Sequence, residues 1–153
     1  MKIAIGSDHA GWKKKEDLKN YLHQKRHLVA DYGTFSEVPV DYPDIALKVA
    51  QAVRRNRFMR GILLCGSGLG MCIAANKVKG IRAANCYNRL TAKLSREHND
   101  SNILCLGARL LSLKQIKDIT NVWLTTDFSA PPERIRHQRR IAKIKKIENN
   151  NNL

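Results

Sequence analysis

The sequence predicts an α/β fold: a three-layer α/β/α sandwich around five parallel strands. Short apolar and β-branched runs alternate with longer segments of helical period along the chain, the pattern of a parallel sheet with helical crossovers. A length of 153 residues is enough for one substantial core. No internal repeat and no linker-like stretch divides it, so residues 1–148 read as a single domain and 149–153 as a disordered tail.

Lys2–Gly6 is the first strand. A helix is expected from about Gly11 to Lys25, with Trp12, Leu18, Tyr21 and Leu22 near one face. Leu28–Asp31 is a second strand, and Tyr32–Asp41 an irregular loop containing Gly33 and Pro39. Tyr42-Pro43-Asp44 opens a helix with proline in its first turn, and Ile45, Val49, Ala52 and Val53 mark its apolar side. Gly61–Leu64 is the most apolar strand and runs directly into Cys65-Gly66-Ser67-Gly68-Leu69-Gly70. A short helix follows at Met71–Lys77, then a strand at Ile81–Cys86 and a helix at Asn88–Glu97. Asn102–Leu106 is the fifth strand, ended by Gly107. Ser112 is placed to cap a helix to Leu124, and after Pro131-Pro132 a last basic helix runs to about Ile147.

Composition narrows the function classes. The chain is 43% hydrophobic and 27% charged, too apolar for a disordered protein. No apolar run approaches the roughly 20 residues that cross a bilayer, and the N-terminus lacks a signal-peptide pattern. A cytoplasmic protein with no membrane partner is expected. Cysteines 65, 72, 86 and 105 form no CxxC pair and no metal-ligand spacing, so neither a metal nor a disulfide framework is expected. The formal charge of +15 raises the possibility of nucleic acid. The basic residues are dispersed, however, and no aromatic platform interleaves with them. A solvated surface that attracts small anions is the preferred reading.

In parallel sheets, ligands sit beyond the C-terminal strand ends. That rule draws attention to Ser7-Asp8-His9, to Cys65–Gly70 and to Glu97-His98-Asn99 ahead of the fifth strand. The glycine-rich turn matches neither GxGxxG nor GxxxxGK[ST]. Its successive amides and the following helix could cradle a phosphate or an enediolate oxygen, and a helix N-terminus favours thiolate at Cys65. Each segment also has a plainer reading: a core cysteine, a capping Asp8, a His98 that only caps a helix. Arg136 and Arg140 share a face with Ile144 and Ile147, the side expected to pack inward, where they would need an anionic partner. His23, His27 and His137 read as surface groups.

Eight stretches in order carry a family resemblance: Ile5-Gly6-Ser7-Asp8-His9-Ala10-Gly11, Asp41-Tyr42-Pro43, Cys65-Gly66-Ser67-Gly68, Ala74-Ala75-Asn76-Lys77, Gly80-Ile81-Arg82-Ala83, Leu94-Ser95-Arg96-Glu97-His98-Asn99-Asp100, Gly107-Ala108-Arg109 and Arg136-His137-Gln138. From Lys2 to Ile147 the chain resembles the ribose-5-phosphate isomerase type B family and the related galactose-6-phosphate isomerase subunits. The resemblance implies a Rossmann-like sheet and a cofactor-free aldose–ketose isomerase of the pentose phosphate pathway. That enzyme would interconvert ribose 5-phosphate and ribulose 5-phosphate through a cis-enediolate. It further implies a homodimer or homotetramer with active sites at the subunit interface. Cys65 would be the base between C1 and C2, as expected for the branch without a glutamate at position 71, which here is Met. His98 of the neighbouring subunit would open the ring with help from Asp8, and Ser67 would assist proton traffic between oxygens. The amides of Gly66, Ser67, Gly68, Leu69 and Gly70 would hold the enediolate, Tyr42 and Asn99 would orient the sugar, and His9, Arg109, Arg136 and Arg140 would bind phosphate. An isomerase for allose 6-phosphate or galactose 6-phosphate is the nearest alternative. A non-catalytic basic module binding nucleic acid is the alternative from another class.

Overall fold

A computed structural model describes residues 1–55, 57–129 and 131–150. In chain order the elements are β1 (Lys2–Ser7), α1 (Trp12–Gln24), β2 (Leu28–Asp31), α2 (Tyr42–Arg54), β3 (Arg60–Cys65), α3 (Leu69–Ala75), β4 (Ala83–Asn85), α4 (Arg89–Glu97), β5 (Ile103–Gly107), α5 (Leu113–Thr125) and α6 (Glu133–Asn150). The strands form one sheet in the order β2-β1-β3-β5-β4, with every pairing parallel. Among the described residues no helix is long and apolar enough to cross a membrane.

The central strands are buried on both faces, and their alternation assigns each side chain to one of two cores. Ile3, Ile5, Ile62, Leu64, Leu104 and Leu106 join Leu18 and Leu22 of α1 and Ile116, Ile119 and Trp123 of α5. Ala4, Leu63, Cys65, Ile103 and Cys105 face the other way, against Ile45, Ala46, Val49 and Val53 of α2 and Met71 and Ala75 of α3. Continuous apolar strands are what a sheet covered on both faces requires. Trp123 is fully buried, and its indole N–H donates to Ser101 Oγ at 2.8 Å, so the ring enters the core without stranding a donor.

Several boundaries differ from the sequence expectation for identifiable reasons. α3 begins at Leu69 rather than Met71, because Gly68 adopts φ +82° and serves as its N-cap, a conformation that glycine supplies at little cost. β4 shrinks to three residues, since as an edge strand it pairs only with β5. α4 and α5 begin with capping boxes at Asn88/Thr91 and Ser112/Gln115. α6 continues to Asn150, past the expected start of the tail; residues 151–153 lie outside the described residues.

The inward face of α6 is not the expected one. Arg136 and Arg140 are exposed, and His137 and Ile141 are the buried pair. Ile144 and Ile147 are 41% and 61% exposed. The helix is turned by about one residue from the arginine stripe, which keeps two guanidinium groups in water rather than in an unpaired interior. His137 is therefore a core residue, not a surface one.

Candidate active site

The chain leaves β1 toward β2 on one side and later returns to place β3 on the other. The C-terminal ends of β1 and β3 thus frame the topological switch point, where open α/β sheets leave a crevice. Ser7 pairs with Leu64 at that edge. The crevice is lined by Asp8, Tyr42, Cys65, Gly66, Ser67, Gly70, Arg109 and Leu110 and has a volume of about 360 Å³.

Cys65 ends β3 and is 5% exposed. The Gly68 amide donates to its Sγ at 3.1 Å, which fixes the sulfur inside the turn. The Leu69 amide donates to Ser67 Oγ at 3.3 Å. Among the described residues the amides of Gly66, Ser67 and Gly70 have no such partner. Of the five amides expected to face an oxyanion, two are therefore used by the turn itself and three remain available. At Gly70 a Cβ would lie 2.7 Å from the Tyr42 ring; the missing side chain lets the phenol of α2 close one wall of the crevice.

Asp8 is 7% exposed, and its Oδ1 accepts from the Gly11 amide at 3.1 Å. It closes the turn into α1 and still presents a carboxylate to the crevice, so the structural and the functional readings of this residue coexist. His9 is half-buried, and its Nδ1 accepts from the Val40 amide at 3.4 Å. That contact leaves Nε2 as the position for the ring proton. Arg109 follows β5, and its turn is bonded to the cysteine turn: the Ala108 amide donates to the Cys65 carbonyl at 2.7 Å and the Arg109 amide to the Gly66 carbonyl at 2.9 Å.

The remaining expected residues lie elsewhere. α4 runs back from the C-terminal end of β4, so its C-cap His98, followed by Asn99, sits ahead of β5 at the N-terminal edge of the sheet. This is the opposite edge from Cys65, and the strand-end rule does not cover it. There His98 stacks on His137 with ring centroids 4.4 Å apart and planes 14° from parallel. Arg82 holds the turn through the Asn99 carbonyl at 2.9 Å and the Asp100 carboxylate at 2.8 Å. Arg96, 2% exposed, donates to Asp100 at 2.8 Å and to the Ser101 carbonyl at 2.6 Å. Both ring nitrogens of His137 are buried without a partner. Burial, together with His98, Arg136 and Arg140, holds its pKa below the usual imidazole value. Asn99 lines a groove of about 500 Å³ with Arg82, Ile144, Ile147 and Glu148. Within one chain, His98, Asn99, Arg136 and Arg140 are thus not brought to the Cys65 crevice.

Two residues near the crevice escaped sequence reasoning. Leu110 lines it directly, and its place after a strand end was the available signal. Lys14 reaches the same turn, but within Lys13-Lys14-Lys15 nothing distinguishes it. All four cysteines are free, with Cys72 half-buried and the other three buried. Among the described residues no three His, Cys, Asp or Glu side chains gather as metal ligands would.

Comparison with known proteins adds a second line of observation. The ribose/galactose isomerase family model matches residues 3–144. Ribose-5-phosphate isomerase B of Escherichia coli is 42% identical over 151 residues, covering 99% of each chain. A D-erythrulose-4-phosphate isomerase of Pectobacterium atrosepticum is 43% identical over 130 residues, 84% of this chain and 85% of that one. The crystal structure of ribose-5-phosphate isomerase B from Mycoplasma genitalium with bound ribulose 5-phosphate superposes with a TM-score of 0.91 at 40% identity, covering 97% of each chain. Sequence match and structural superposition agree along almost the whole length: the chain belongs to the ribose/galactose isomerase family.

Proposed function

We propose that this chain interconverts ribose 5-phosphate and ribulose 5-phosphate, in the pentose phosphate pathway of the cytoplasm. The observation that carries this reading is a near-buried cysteine at the switch point, facing a crevice with unpartnered amides, in a chain that matches ribose-5-phosphate isomerases end to end. Cys65, as thiolate, removes the proton from C2 of the open-chain aldose and returns it to C1. The electron pair moves onto O1 as the enediolate forms. The Gly66, Ser67 and Gly70 amides stabilise that charge, the kind of term that preorganised donors supply in a water-poor site. Ser67 Oγ passes the proton between O1 and O2. Asp8 takes part in ring opening, Tyr42 orients the sugar, and His9 and Arg109 receive the phosphate.

His98, Asn99, Arg136 and Arg140 enter this scheme from a second copy of the chain. Two features support a homodimer. The ring-opening histidine lies at the edge opposite its own crevice, and apolar side chains flank the crevice in the open: Tyr42, Leu69, Ile73 and Leu110, at 41–63% exposure. A cluster of this kind marks an association surface. Free thiols throughout suit a reducing compartment.

The four-carbon specificity of one relative favours a second reading, a shorter ketose phosphate as substrate. Turnover of ribose 5-phosphate, erythrulose 4-phosphate, allose 6-phosphate and galactose 6-phosphate, each with and without EDTA, tests both. Ribose 5-phosphate is expected to give the highest kcat/KM, unchanged by EDTA. Turnover of another sugar phosphate without the pentose would overturn the first reading.

A further inference from the structure

Three consecutive lysines on α1 do three different things. Lys13 is exposed and pairs with Glu37 at the surface. Lys15 is fully buried and binds Asp31 and the Thr34 carbonyl, both at 2.7 Å. Lys14 is half-buried, and its ammonium donates to the carbonyls of Ala108 and Leu111, each at 2.6 Å. Those two carbonyls bracket Arg109 and Leu110, the residues that the β5–α5 turn contributes to the crevice.

The Arg109 side chain makes no hydrogen bond among the described residues. Its aim is set by the backbone beneath it and by packing across Gly66, where a Cβ would stand 3.5 Å from the arginine Cδ. The start of the turn is tied to the cysteine turn through the Ala108 and Arg109 amides. Its far end is held by the Leu111 amide on Gly107 at 3.0 Å and by Lys14. Two carbonyls converging on one point repel each other unless a cation sits between them, and an ammonium with three donors fills that position.

We propose that Lys14 is a positioning residue for Arg109: by drawing the Ala108 and Leu111 carbonyls together it sets the turn from which the guanidinium meets the anionic end of the substrate. This rests on the sugar-phosphate reading of the crevice. The test is a double-mutant cycle with Lys14→Met and Arg109→Met, following ribose 5-phosphate turnover and inhibition by inorganic phosphate. Lys14→Met is expected to raise KM and the phosphate inhibition constant by about tenfold, with kcat changing less than about threefold. In the Arg109→Met background the same change is expected to cost less than about twofold, and Lys14→Arg to recover most of the loss. An equal loss in both backgrounds, or no loss from Lys14→Met alone, would overturn the proposal. Should Lys14→Met not fold, Lys14→Gln runs the same cycle. If the wild-type chain does not turn over ribose 5-phosphate, the functional reading fails by itself. Calorimetric titration of the four proteins with inorganic phosphate then still decides the role of Lys14.

Discussion

The Cys65 crevice and the His98 corner are built by different means. The crevice is assembled at the C-terminal ends of the central strands, where β1, β3 and β5 deliver Asp8, Cys65 and Arg109 side by side. Its turns bond to one another through backbone groups. The His98 corner lies at the other edge of the sheet, fixed by a network in which the buried Arg96 and the half-buried Arg82 both donate to Asp100, and by ring stacking on α6. The first brings Asp8, Tyr42, Cys65 and Arg109 to one crevice within the chain. The second holds His98 and Asn99 at the opposite edge, so the proposed reaction needs a second copy of the chain to bring them to that crevice.

The largest effect expected from breaking this contrast is at Cys65. Cys65→Ala should lower kcat by about 10³-fold, the scale of a lost general base, while calorimetry still detects inorganic phosphate binding. Retention of full activity would remove Cys65 from the mechanism. Subunit complementation comes next. His98→Asn should also be nearly inactive, but mixing it with Cys65→Ala and allowing exchange should restore about a quarter of wild-type activity. Half of the dimers are then mixed, each with one intact shared site. No recovery despite exchange would place both residues in a site made by one chain.

A third prediction sharpens the contrast on the crevice side, where Lys15 anchors the loop after β2. Asp31 accepts from Lys15 at 2.7 Å and from Lys19 at 2.6 Å. Lys15→Met should cost about 3 kcal/mol in urea unfolding at neutral pH, because it leaves a carboxylate of low exposure with half of its compensation. The smallest effect is a slope in pH. Burial pulls the Asp31 pKa upward, but the Lys15 and Lys19 ammoniums and the Gly33 amide outweigh it, and the folded carboxyl titrates below its usual range. A depressed folded pKa gives stability that is complete above the unfolded value near 4 and disappears as pH falls through the folded one. The stability gap between wild type and Lys15→Met should therefore narrow below pH of about 4. A gap independent of pH would show that the loss at neutral pH has another cause.

The sequence by itself determined the sheet, its helices and the Cys65 crevice, because each depends on short-range signals. Apolar runs, Pro43, Ser112 and the glycines around Ser67 set local backbone states, and the strand-end rule then brings Asp8 and Cys65 together with no knowledge of packing. The tertiary structure alone decided which face of α6 turns inward. Arg136/Ile144 and His137/Ile141 are rival stripes one residue apart, and what separates them is that a guanidinium stays charged when buried whereas an imidazole can shed its charge. It also decided the separate duties of Lys13, Lys14 and Lys15, since a lysine's role is set by the distant acceptor it reaches. The edge on which His98 lies was legible all the same: in a parallel sheet the helix between two strands must run back, so its C-terminal end falls at the N-terminal edge. What only the tertiary structure decided there is the packing of His98 on His137, because contact between α4 and α6 depends on where a distant helix settles.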